Sequence, residues 1–232
     1  MSQSFTQNPL SEAEKAQIRR NLEEVFSRIH RAATRAARSP DSITLVAVTK
    51  QRTAETIAYL YDLGIRHFGE NRVQEALPKI STLCLDATWH MIGTVQTRKV
   101  KEIVPHFHTI DSVDRLELAA EIEKRCAAVN KVLPVLLEVN VSGEPTKHGF
   151  RPDLVENALE NMQKYTHLRV EGLMTMAPFG APPEALHRIF GALRRLAEIY
   201  RLPRISMGMS DDFDIAVEEG ATEVRLGRIL YT

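Results

Sequence analysis

Lys50 closes the apolar run Ile43-Thr44-Leu45-Val46-Ala47-Val48-Thr49. The run has too few polar positions for a surface strand and reads as one buried on both faces, as in parallel sheets covered by helices. A lysine within such a strand is costly, but at its carboxyl end it stands at the mouth of a pocket. A partly desolvated amine there loses its proton near neutral pH and attacks a carbonyl. The commoner fate of a single lysine is to end a strand in solvent, so the rest of the chain must supply a site around this one. Two later segments bear on that. Ser206-Met207-Gly208-Met209-Ser210 ends one strand and opens a helix near Asp211, where amides and the Ser210 hydroxyl can donate to an anion. Val224-Arg225-Leu226-Gly227-Arg228 ends the next, and Gly227 lets backbone approach a ligand closely. Taken singly these are an ordinary N-cap and an ordinary turn. On consecutive strand ends they read as an anion site.

The elements that must position these residues are set by periodicity. Ser11 with Glu14 forms a capping box, and Ile18, Leu22, Val25, Phe26 and Ile29 recur at helical spacing. This helix precedes the first strand and is extra to the alternating units after it; residues 1–10 read as a flexible N-terminus. Strand patterns at 43–50, 67–69, 89–92, 107–110, 134–140, 168–174, 204–207 and 223–226 then alternate with helical ones at 53–63, 71–83, 96–104, 113–129, 153–165, 183–200 and 212–219. Alternation of this kind builds a parallel sheet with right-handed crossovers. The expected fold is therefore a single (β/α)8 TIM barrel over residues 11–232. An open doubly wound sheet is the alternative. Against it, Lys50-Gln51-Arg52 stands where a glycine-rich phosphate turn would come after the first strand.

Composition narrows the function classes. The 30 basic residues match the 30 acidic ones, so no overall charge draws the chain to nucleic acid or membrane. No apolar run is long enough to span a bilayer and no signal-peptide layout opens the chain. Cys84 and Cys126 have neither metal-ligand spacing nor disulfide density, which points to a reducing cytoplasm. The histidines, His67, His90 and His148 among them, show no metal spacing either, and no metal is expected. Trp89 reads as core.

In such a barrel the active site lies where strands end. A lysine able to form an imine with an aldehyde, facing a phosphate site across one mouth, suggests pyridoxal phosphate. Arg225 faces opposite Val224 and Leu226; turned into the mouth it offers donors and no acceptor. Placed against the ring nitrogen it would leave that nitrogen unprotonated and weaken the ring as an electron sink.

The chain also resembles the pyridoxal phosphate homeostasis family, whose barrel is like the N-terminal domain of alanine racemase (fold type III). The matching segments are LVAVTK at 45–50, HFGENRVQEALPKI at 67–80, WHMIGTVQTRK at 89–99, IDSVDR at 110–115, VNVSGEPTKHGF at 139–150, GLMTMAP at 172–178 and SMGMSDDFDIAVEEGATEVRLGR at 206–228. The resemblance implies that Lys50 is the imine lysine and Arg225 the partner of the pyridine nitrogen. It implies that Ser210 with the backbone of Gly227 and Arg228 holds the phosphate, and that Asn71 and Met174 line the cofactor. Two departures stand out. Thr97 and Arg98 replace the serine and asparagine often found in the third loop, and the chain ends Leu230-Tyr231-Thr232, which is expected to concern the terminus alone.

The resemblance implies a pyridoxal phosphate binder serving intracellular homeostasis by storing or handing on the cofactor, without clear catalytic turnover. Racemases with this barrel carry a second, β-rich domain that supplies an acid/base residue, and the chain stops at Thr232, right after the last strand. Two-base racemisation would then lack one of its groups. Expected partners are pyridoxal phosphate, PLP-dependent apo-enzymes or amino acids, with a monomer as default. The alternatives are a PLP-dependent amino-acid racemase or lyase, a Schiff-base aldolase on a sugar phosphate, and a binding module using Arg98, Lys99 and Lys101.

Overall fold

The run before Lys50 forms β1 (Thr44–Val48), the first of eight parallel strands in a computed structural model that describes residues 10–232. The others are β2 (His67–Glu70), β3 (Thr88–Met91), β4 (Thr109–Val113), β5 (Leu133–Glu138), β6 (Leu168–Met174), β7 (Arg204–Ser206) and β8 (Glu223–Leu226). Each pairs with the next and β8 pairs back onto β1, closing the barrel, with Val46 opposite both His67 and Arg225. This is the TIM-barrel fold. Closure removes every free strand edge, and the strands are almost wholly buried because helices cover the outside. Those helices are α2 (Ala54–Asp62), α3 (Val73–Leu83), α4 (Val100–Ile103), α5 (Leu116–Ala128), α6 (Val155–Met162), α7 (Pro183–Ile199) and α8 (Phe213–Glu218).

The extra helix α1 (Glu12–Arg35) starts as its sequence dictates: the Ser11 hydroxyl accepts from the Glu14 amide, and the Glu14 carboxylate accepts from the Ser11 amide at 2.8 Å. It buries Ile18, Leu22, Val25, Ile29, Ala32 and Ala33, while Phe26, expected in that stripe, is 47% exposed. Ala32 and Ala33 continue the buried stripe in its place. Arg28–Asp214 and Arg35–Glu218 ion pairs tie α1 to α8. The expectation of a loose segment over residues 1–10 lies outside the described residues except at Leu10, whose amide donates to Glu55 at 2.9 Å.

The fourth strand differs most from expectation. Residues 107–110 read as the strand, which would leave Asp111 and Ser112 past its end, yet β4 begins at Thr109 and both lie inside it, fully buried. Phe107 instead continues the turn after α4, its amide donating to the Ile103 carbonyl. Buried polar groups are tolerated when they are paired. Asp111 accepts from Thr109 at 2.7 Å and meets His90 at 2.7 Å, and Ser112 donates to the Gly93 carbonyl. The helix predicted at 96–104 is a 3-10 turn, Thr97–Lys99, followed by the single turn of α4.

Candidate functional site at the barrel mouth

The residues singled out by sequence fall on five neighbouring strand ends, β6, β7, β8, β1 and β2. Lys50 sits in the turn after β1, exposed, directly after the fully buried Thr49. The turn is sharp: Gln51 has φ 61°, and the Arg52 amide donates back to the Thr49 carbonyl at 3.0 Å. Gly227 ends β8 beside β1, and a Cβ placed on it would lie 3.4 Å from the Val48 Cβ. That is ordinary van der Waals contact, and the φ of Gly227 is −119°, so neither left-handed backbone nor a clash within the chain demands glycine there. The loops after β7 and β8 are linked, because the Ser210 hydroxyl accepts from the Ile229 amide at 3.3 Å and Arg228 bonds Asp211. The Arg228 side chain is thus engaged, and what it can offer a ligand is its backbone. Among the described residues the amides of Ser210, Gly227 and Arg228 have no backbone acceptor. Half-buried at Ser210 and Gly227 and exposed at Arg228, these amides are open to water or to a ligand.

The helix expected at 212–219 forms close to that range, but a carboxylate, rather than an open site for an anion, stands at its N-terminus. The helix after Ser210 begins only at Phe213, has six residues, and carries Asp212 at its N-cap, where the carboxylate accepts from the Met209 amide at 2.6 Å. Gly208 makes the tight loop possible: its φ is +94°, and a Cβ there would lie 2.6 Å from that of Ala216.

Arg225 points into the barrel, 4% exposed, and donates to the Ser206 hydroxyl at 2.7 Å and the Thr175 carbonyl at 2.9 Å. Burial lowers its pKa, while Asp111, Glu138, Glu223 and Asp212 oppose that. A guanidinium has five N–H donors, so these two bonds leave others free to meet a ligand. Met174, wholly buried, ends β6 in register with Ser206 and Glu138. Asn71 comes just after β2; its Oδ1 is buried without a partner, and its carbonyl lies so close to Gly93 that a Cβ there would approach it to 2.3 Å.

Sequence reasoning missed several mouth residues. Glu138 ends β5, 3% exposed, its pKa raised first by burial and then by Asp114. Lys79, on α3, reaches the carboxyl ends of β1 and β2 from the helix layer, 2.8 Å from both Glu70 and the Thr49 carbonyl. Tyr231 overturns the expectation that the chain's ending concerns the terminus alone. Its hydroxyl donates to the Val48 carbonyl at 3.1 Å and Arg52 stacks 4.1 Å over its ring. None of these has a short-range signal; each depends on the barrel having closed.

The basic run is ordinary surface: Lys99 pairs with Glu102 at 2.9 Å and Arg98 donates to Gln96. At the opposite end of the barrel His90, Asp111 and Glu223 bring potential metal-ligating atoms within 4.8 Å. The Arg204 guanidinium already stands there, 2.6 Å from Glu223 and 3.6 Å from Asp111, and supplies the positive charge those carboxylates need.

Comparison with known proteins places this geometry. The sequence profile described as alanine racemase, N-terminal domain, matches residues 18–232. A pyridoxal phosphate homeostasis protein of Aquifex aeolicus is 43% identical over 217 residues, covering 90% of this chain and 95% of its own. The structure of PipY from Synechococcus elongatus, with PLP bound, superposes with a TM-score of 0.78 at 34% identity, covering 88% of this chain and all of PipY. An alanine racemase of Clostridium difficile shares the fold, with a TM-score of 0.73 at 16% identity over 93% of this chain and 56% of the racemase. No described helix is long and apolar enough to cross a membrane.

Proposed function

The chain belongs to the alanine racemase N-terminal domain family and, within it, to the pyridoxal phosphate homeostasis proteins, and from that premise we propose that it holds pyridoxal 5'-phosphate reversibly through Lys50 for storage or delivery. The observation that carries this reading is the meeting, on the hydrogen-bonded neighbours β1 and β8, of an exposed lysine and backbone amides without a backbone acceptor.

The donor set fits the cofactor. The amides of Ser210, Gly227 and Arg228, with the Ser210 hydroxyl, would hold the phosphate. Arg225, fixed by Ser206 and Thr175, would face the pyridine nitrogen as a donor that cannot accept. Met174 and Asn71 would line the ring. When bound, the cofactor supplies an aldehyde carbon with which an amine can condense. Lys50 would provide that amine, and its exposed position leaves the link open to water and to competing amines, as release requires.

The curated relatives are named homeostasis proteins rather than enzymes. We read the mouth accordingly as a holding site. An absorbance spectrum of the purified protein tests this. A band near the visible edge is expected, present in the wild type loaded with pyridoxal phosphate and abolished in Lys50→Ala. A wild type that shows no band after loading would overturn the reading. Incubation with L- or D-amino acids in deuterium oxide is expected to give no α-proton exchange above background. Exchange that depends on Lys50 would instead favour a racemase or lyase.

A further inference from the structure

Thr49, the residue before Lys50, is gripped from four sides. Its amide donates to the Gly69 carbonyl at 3.0 Å, and its hydroxyl donates to Glu70 Oε1 at 2.6 Å. Its carbonyl accepts from Lys79 Nζ at 2.8 Å and from the Arg52 amide at 3.0 Å. Lys79 Nζ also donates to Glu70 Oε1 at 2.8 Å, so acid, ammonium and threonine form one closed ring of bonds. Glu70 is wholly buried and the Lys79 side chain only 12% exposed. Glu70 Oε2 has no partner among the described residues.

A buried pair of this kind adds little to stability, because apolar residues of similar size commonly do as well. It is directional, however, and its direction is onto the peptide from which Lys50 springs. A lysine side chain is a flexible four-carbon stem, so the plane of the peptide at its root is what the fold can set. We propose that the Glu70–Lys79 pair is the positioning device for Lys50, fixing the Thr49–Lys50 peptide so that the amine meets the cofactor's aldehyde carbon. This rests on the reading of Lys50 as the lysine that binds the cofactor. Holding a reacting group by supporting contacts of this sort is what raises its effective concentration.

The test compares pyridoxal phosphate with pyridoxamine phosphate, which has the same ring and phosphate but no aldehyde. In Lys79→Met and Thr49→Val, affinity for pyridoxal phosphate is expected to fall about tenfold, the size of one charge-assisted hydrogen bond. The pH midpoint of the Lys50-dependent band is expected to move with it, affinity for pyridoxamine phosphate to stay at the wild-type value, and Lys79→Arg to restore both band and midpoint. Thr49→Val exchanges a hydroxyl for a methyl of similar size and guards against a variant that fails to fold. Equal weakening for both ligands, or wild-type affinity and midpoint in every variant, would overturn the proposal while leaving the Lys50 reading intact. A wild type without any band would remove that reading itself.

Discussion

At the floor of the barrel, Arg204 donates to Glu223 at 2.6 Å and to Glu171 at 3.1 Å, Asp111 takes His90 and Thr109, and His90 meets His67 at 2.9 Å. At the mouth, Lys50 is exposed, the amides of Ser210, Gly227 and Arg228 lack backbone acceptors, and Asn71 keeps a buried oxygen without a partner. Both ends carry buried charge on strands of the same sheet. The floor satisfies its charges internally, with Glu223 Oε2 its one unpartnered oxygen among the described residues; the mouth leaves donors and acceptors open on four adjacent strand ends, β7, β8, β1 and β2. Internal pairing marks a group that serves the fold, and open donors at the carboxyl ends of strands are those available to a ligand.

Substitutions at the two ends should therefore separate stability from binding. The largest stability effect is expected at the floor: Arg204→Met leaves the buried Glu223 without its ion-pair partner and takes one partner each from Asp111 and Glu171, and should cost about 3–5 kcal/mol, read from denaturant unfolding. The band of the loaded protein should survive wherever that variant is folded. Gly208→Ala should cost about 1–3 kcal/mol, because it combines a positive φ with a 2.6 Å clash against Ala216. It should also weaken cofactor binding, since that loop carries Ser210; normal binding at reduced stability would assign Gly208 to the fold alone.

The floor should also set a pH dependence. His67 is pushed down from its ordinary 6.5 to about 4, first by burial and then by His90 and Arg204. The folded state then binds fewer protons than the unfolded chain between those values, so this contribution is complete above about pH 6.5 and is lost as pH falls toward 4. Thermal melts across that window should show the decline, and His67→Gln should flatten it. The smallest expected effect is on stability in Lys50→Ala, within about 0.5 kcal/mol for an exposed side chain. A larger loss in the unloaded protein would show that Lys50 serves the fold too and blur the contrast between the ends.

The same contrast explains what can be read from the chain. Lys50, Ser210 and Gly227 are legible because each comes shortly after a strand-like run, and the carboxyl end of a strand in a parallel barrel is a mouth position by construction. Asp111 is misplaced by sequence because a polar residue in a strand looks like its end until the partners are known, and His90 and Arg204 come from other strands. Lys79 is invisible for the opposite reason: a lysine on an amphipathic helix has solvent as its default, and only the packing of α3 on β2 brings it to Glu70. Tyr231 cannot be placed from sequence because its partner, Val48, lies 183 positions away.

That last bond has a consequence for how the molecule comes apart. β1 and β8 meet at the seam where the chain's beginning and end are stitched together, and Tyr231 is a button sewn across it. A cofactor fastened to Lys50 on one side and to Gly227 on the other would be a second button on the same seam. Loading should then protect the amides of β1 and β8 from hydrogen exchange more than those of β4 and β5, and any loosening of the C-terminal turn should hasten the cofactor's departure.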